Sequence, residues 1–195
     1  MKKTVKITFS ALMAALAVVF MLLSYFPYLT YAIPAIAGLF IMAVVIELGY
    51  KWAFVSYISS AVLVFLFAEI ESRLLYIFFL GYYPILKALI ERIRKPVPEW
   101  ILKFISFNIA VLAVYLIFAK PMGISLEDFG TLGKYGAIII LALGNFAFAV
   151  YDLAVSRMAG FYITAVKPKL NKFLKSKQSL YFFIQYCQNF YHIFP

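Results

Sequence analysis

Residues 7–26 carry no charged side chain. About 20 such residues in a row cross the hydrocarbon core of a bilayer as one helix. A chain in lipid must satisfy its backbone polar groups internally, so runs of this kind leave little choice but helix. The apolar lengths predict six spans at roughly 7–26, 31–49, 52–68, 74–91, 100–119 and 135–156. The breaks between them have local causes: Pro27 and Pro34 around the first turn, Gly49-Tyr50-Lys51 at the second, Glu69–Arg73 at the third, Pro96 and Pro98 at the fourth. Residues 120–136, Gly-rich and carrying Glu127 and Asp128, form the longest connection. The expected fold is therefore all-α, a polytopic membrane protein with six transmembrane helices.

Composition agrees. Of 195 residues 66% are hydrophobic and 13% are charged, which excludes an ordinary soluble domain. The first apolar run exceeds the typical signal-peptide core of about 7–15 residues, so it is expected to be a retained span. The net charge of +10 reads as cytoplasmic loops and anionic lipid rather than nucleic acid. Lys2, Lys3, Lys6, Lys51, Arg92, Arg94, Lys95, Lys103, Arg157, Lys167, Lys169, Lys172, Lys175 and Lys177 fall on one side of the expected membrane. Arg73, Lys120 and Lys134 fall on the other. The positive-inside rule then puts both termini in the cytoplasm. Residues 1–160 make one membrane domain. Residues 161–195 make a tail, basic at first and then aromatic and uncharged from 178 onward.

No catalytic signature is present, and the chain reads as a non-enzyme. Cys187 and His192 are the sole cysteine and histidine, so no thiolate–imidazole pair or multi-histidine metal site is expected. A Gly-rich phosphate loop ending in Lys-Ser/Thr is missing as well. No cofactor is expected.

Polar groups inside apolar spans are costly and therefore informative. Pro84 predicts a kink around residues 80–84. Lys87 either snorkels to water or pairs with Glu47 or Asp152, which share its depth; the three are expected to form a structural charge cluster. Asn145 lies near mid-membrane, seven residues before Asp152 and on its helix face. It is either a ligand contact or an interhelical hydrogen-bond staple, and Asn108 has the same two readings. At the opposite end to Lys87, Tyr31, Glu71, Arg73 and Tyr76 are candidates for binding a small molecule, since aromatic rings with a few charges line such pockets. The same residue types also populate membrane interfaces.

The first span has one more feature. Ala11 and Ala15 are four apart, as are Ser10 and Ala14, and Ala17 extends the strip. In lipid a face of small residues lets another helix approach closely. The basic lead, then Lys-Ile-Thr-Phe-Ser-Ala-Leu-Met-Ala-Ala-Leu-Ala at the start of six short spans, resembles the substrate-binding S components of energy-coupling factor (ECF) transporters, which import vitamins and similar micronutrients across the bacterial cell membrane. Their Ala-x-x-x-Ala motif is matched by Ala11-Leu-Met-Ala-Ala15. The run Leu-Gly-Tyr-Tyr-Pro-Ile-Leu-Lys at 80–87 looks like that of a Firmicutes branch of such proteins. The resemblance implies ligand capture on the outer side. It implies docking through Ala11, Ala14 and Ala15 on a transmembrane coupling subunit, with two ATPase subunits supplying energy. A non-transporting membrane scaffold of the rod-shape-determining type is the alternative, and it requires no outer cavity. A channel or secondary carrier would want inverted repeats, and none is visible.

Overall fold

The computed structural model describes residues 3–26, 28–93, 95–119 and 135–169. The connection at 120–134, with Glu127 and Asp128, and the tail from 170, with Cys187 and His192, lie outside the described residues. Among the described residues all regular structure is helical: α1 (Lys3–Leu22), α2 (Ala32–Leu48), α3 (Tyr50–Phe67), α4 (Ile70–Leu75), α5 (Tyr83–Ile90), α6 (Pro96–Val114) and α7 (Gly136–Phe161). Contacts divide the chain into two compact units, Met1–Ser156 and Arg157–Pro195. In the second unit the helix continues through Tyr162–Val166 in a wider π-type coil, with the Thr164 hydroxyl donating to the Gly160 carbonyl at 3.0 Å.

Five helical segments are long and apolar enough to cross a bilayer: Lys3–Tyr25, Tyr50–Phe67, Ile70–Ile93, Pro96–Ile117 and Ile138–Lys169. The apolar lengths predict a sixth, and α2 is that segment. At 17 residues it falls just short of the others. It also carries more buried residues than any other helix of the first unit: Ile33, Pro34, Ala37, Gly38, Ile41, Met42, Ala43 and Val44. A helix apolar all round belongs in the interior of its own molecule. α1, α3 and α5 surround it.

Small side chains let these helices close on one another. Ser10, Ala14, Ala17 and Met21 form the buried stripe of α1, at spacings of four, three and four residues. At its start the Ser56 hydroxyl of α3 lies 3.1 Å from the Ser10 hydroxyl. Gly49, at φ +87°, turns α2 directly into α3, a backbone conformation that disfavours any side chain. Farther along α2, Gly38 faces the fourth span with no room to spare. A Cβ there would lie 2.5 Å from the Leu80 carbonyl oxygen and 2.9 Å from the Tyr151 hydroxyl.

The fourth span begins earlier than its apolar run suggests. Glu69–Arg73 reads as a turn, but the Glu69 carboxylate accepts from the amides of Glu71 (3.1 Å) and Ser72 (2.9 Å) and so starts α4 at Ile70. A side-chain acceptor at this position satisfies amides the helix cannot. The kink expected at 80–84 is a π-type coil at Tyr76–Leu80, followed by a turn at Gly81 and Tyr82. Pro84 then sits in the first turn of α5, where its missing N–H costs nothing. Pro96 and Pro98 likewise open α6 rather than merely ending the helix before it.

The contrast between two glycines tests this packing. Gly38→Ala is expected to cost about 1–3 kcal/mol, because the added methyl meets backbone rather than a movable side chain. Gly144→Ala, whose new methyl finds its nearest neighbour 3.6 Å away at the Phe107 ring, is expected to be close to neutral. Thermal unfolding of the two variants in detergent measures the difference.

Candidate functional site

The segment Ile70–Ile93, α6 and α7, with Tyr31 at the start of α2, line a partly open cavity of about 290 Å³. Seven of its thirteen lining residues are aromatic: Tyr31, Phe79, Tyr82, Tyr83, Phe107, Phe148 and Tyr151. The remaining wall is Leu75, Leu80, Ser106, Val111, Gly144 and Ala147. The rings hold one another. Phe107 of α6 stacks on Phe148 of α7 at 4.7 Å, and Tyr83 of α5 meets Phe148 edge-on at 5.0 Å. Offset and edge-to-face contacts are the favoured aromatic geometries, so three helices are fixed by one ring cluster.

Most polar atoms of the wall are already committed. The Tyr31 hydroxyl donates to Glu71 Oε2 at 3.0 Å, Tyr151 to the Leu80 carbonyl at 3.1 Å, and Ser106 to the Lys103 carbonyl at 2.8 Å. Tyr83 donates to Asp152 Oδ1. That last bond joins the cavity to a buried charge cluster. Asp152 Oδ1 also accepts from Lys87, and its Oδ2 accepts from Lys103 at 3.1 Å. Both ammonium groups reach Glu91 Oε1, Lys87 at 2.8 Å and Lys103 at 3.1 Å. Lys103 also lies 5.5 Å over the Trp100 ring. The Asp152 side chain is 3% exposed and each lysine 6%, while Glu91, at 43%, keeps one edge toward the surface. Two positive and two negative charges cancel. Such a network ties α5, α6 and α7 together.

The sequence-predicted residues fall into distinct settings. Lys87 pairs with Asp152, as one of its readings expects; Glu47 stands in none of these four ion pairs. Glu91 and Lys103 join Lys87 and Asp152 there. Glu91 was within reach of sequence reasoning, because it sits four residues after Lys87 on the same helical face. Lys103 was harder to see, since a basic residue so near the end of an apolar run reads as a loop marker. It lies two turns inside α6, well past the Pro96 start.

Of the five candidate ligand residues, Tyr31 alone lines the cavity. Glu71 holds the Tyr31 hydroxyl. Arg73 closes the end of α3, donating to the Phe65 carbonyl at 2.9 Å with its guanidinium 5.4 Å over the Phe65 ring. Tyr76 is fully buried, its hydroxyl 2.7 Å from that of Ser60, and belongs to the core behind the cavity. Asn145 and Asn108 exchange amide hydrogen bonds at 2.9 and 3.3 Å, and each also donates to a carbonyl one turn back, at 2.8 Å. They form the interhelical staple, away from the cavity wall. Among the three docking candidates, Ala11 and Ala15 are exposed, whereas Ala14 is buried at 6%. A step of one residue turns a helix by about 100°, so Ala14 joins the inward stripe with Ser10 and Ala17. Among the described residues no three His, Cys, Asp or Glu side chains gather as metal ligands.

At the Tyr31 end two groups lie outside the spans. Accepting the phenol hydrogen, Glu71 pushes the Tyr31 hydroxyl above its ordinary value. Burial alone would raise the Glu69 carboxyl, but the Ser72 and Glu71 amides, the Ser72 hydroxyl and Arg73 outweigh it and hold it below the ordinary carboxylate value. Comparison with family models, with curated proteins and with solved structures finds no match to this chain.

Two expected outcomes follow from this geometry. Asp152→Asn leaves two buried ammonium groups with one carboxylate and is expected to cost about 3 kcal/mol or more. Adding Lys103→Met to it restores the charge balance and recovers part of the loss, read as Tm in detergent. The Glu69 cap contributes fully above the ordinary carboxylate pKa and is lost as pH falls through the lowered native value. Hydrogen-exchange protection over α4, relative to the intrinsic rate at each pH, is therefore expected to fall at acid pH in the wild type. In Glu69→Ala that protection is expected to be lower already at neutral pH, by about 1 kcal/mol.

Proposed function

We propose that this chain is the substrate-capture subunit of an ECF-type importer for a vitamin or similar small micronutrient, in a bacterial cell membrane. The carrying observation is the cavity: about 290 Å³ of unfilled space walled by aromatic rings and reaching Tyr31. Apolar, aromatic cavities of this order with a few polar groups are the usual form of small-molecule sites. In this reading α2 is the sixth span. At 1.5 Å per residue its 17 residues rise about 26 Å. A helix enclosed by α1, α3 and α5 has no need to match the full lipid thickness. Six spans return the chain to its starting side, and the lysine and arginine bias then puts both termini in the cytoplasm. The Tyr31 end faces outward.

Docking falls to the exposed pair Ala11 and Ala15, without Ala14. A smooth strip of methyl groups suits a contact with a coupling subunit that must form and break. Energy comes from two partner ATPases, consistent with the missing phosphate loop. The scaffold alternative is disfavoured by the same observation that carries the importer, since a scaffold gains nothing from a cavity.

Replacing Ala11 and Ala15 together by Trp is expected to leave the isolated chain folded, because both positions are exposed. Co-purification with a co-expressed coupling subunit is expected to disappear. Ala14→Trp, forced into the α1 interior stripe, is expected instead to lower Tm in the isolated chain. Retained co-purification by the Ala11/Ala15 variant sinks the docking reading.

A further inference from the structure

We propose that the cavity takes an uncharged, planar molecule about the size of two fused rings, with its polar edge met by the Tyr82 hydroxyl; this rests on the reading of the cavity as a ligand site. Charge is excluded first. Among the described residues the wall contains no Asp, Glu, Lys or Arg. The charges one step behind the wall are Glu71, which accepts from the Tyr31 hydroxyl at the mouth, and, reached through Tyr83, two lysines and two carboxylates already paired with one another. A ligand carboxylate or ammonium seated past Tyr31, among the rings of Tyr83, Phe107 and Phe148, would give up its water and find no free counter-charge.

Size and shape come next. An apolar protein cavity of about 150 Å³ holds one benzene. The present 290 Å³ is about twice that. The wall presents ring faces and edges from Tyr83, Phe107 and Phe148, held in a fixed cluster. Rigid aromatic surfaces favour a flat ring over a flexible acyl chain, because offset and edge contacts add to the area buried.

The polar edge is set by elimination. The hydroxyls of Tyr31, Tyr83, Ser106 and Tyr151 each donate their hydrogen to the protein. Tyr82 lines the same cavity, and its hydroxyl has no hydrogen-bond partner among the described residues. Its O–H is the group left to donate to a ligand acceptor.

The test uses the full chain in nanodiscs of phosphatidylcholine and phosphatidylglycerol, with four probes: 2-naphthol, 2-naphthoate, 2-naphthylmethylammonium and 1-decanol. Saturable increases in Tm are measured for the wild type, for Tyr82→Phe and for Ala147→Phe, whose new ring occupies the cavity. 2-Naphthol is expected to stabilise the wild type, with the two ions at least about tenfold weaker. Tyr82→Phe is expected to weaken 2-naphthol by about threefold to tenfold, the range of one net hydrogen bond. Ala147→Phe is expected to abolish the effect. Equal binding of either ion overturns the proposal, as does no response to any probe. A 2-naphthol effect that survives Ala147→Phe overturns it too, since that is partition into lipid. Stabilisation by 1-decanol matching that by 2-naphthol overturns it in favour of an acyl-chain site. The importer reading is judged separately, by mass spectrometry of small molecules carried through purification. A molecule retained by the wild type and lost in Ala147→Phe keeps that reading alive even when the neutral-ring class has failed.

Discussion

Asp152 is where the helices walling the cavity are joined. Its two oxygens accept from Lys87, Lys103 and Tyr83, so one carboxylate on α7 holds α5 and α6 at once. In a low-dielectric interior this arrangement works only when complete: each ammonium needs a carboxylate, and each carboxylate needs its donors. Glu91 supplies the fourth charge. Because Tyr83 is at once a donor to Asp152 and a wall of the cavity, the polar tie and the apolar site are built from the same residue.

The other half of the molecule is held by the opposite means. α1, α2 and α3 meet through small residues such as Ser10, Ala14, Ala37, Gly38 and Ser56, which admit close approach, and through a core of Met21, Ile33, Ile41, Val44, Tyr57 and Val64. Gly38 is where the two halves meet, since its missing side chain admits the Leu80 carbonyl, which in turn accepts from Tyr151. The cavity lies on one side of the fourth span, while the other side packs closely on Gly38. The division fits the binding subunit proposed above: Ala11 and Ala15 stay exposed on α1, and the aromatic cluster keeps its own space open.

The small-residue strip of α1 shows how sequence and structure share the work. The spacing of Ser10, Ala11, Ala14 and Ala15 identifies a helix side built for close contact. It does not say with what. The structure divides the strip, turning Ser10, Ala14 and Ala17 onto α2 and α3 and leaving Ala11 and Ala15 outside. The charge cluster behaves in the same way. That Lys87 needs a partner is readable from its place in an apolar run, and Asp152 is among the candidates at matching depth. That Glu91 and Lys103 join them depends on how α5, α6 and α7 rotate about their axes.

By itself, then, the sequence determined the helical class, the apolar segments and the buried polar groups that had to be satisfied. Those follow from length and from the cost of an unmet polar group in lipid, and both are local properties. Only the tertiary structure decided which helix became the centre, which polar side chains met, and that a cavity remained between aromatic rings. These depend on helix rotation and on the packing of residues tens of positions apart, such as Tyr83 with Phe148 and Asn108 with Asn145. An apolar helix tolerates many rotations in lipid with little change in hydrophobic energy, so close packing and the pairing of polar groups make the choice.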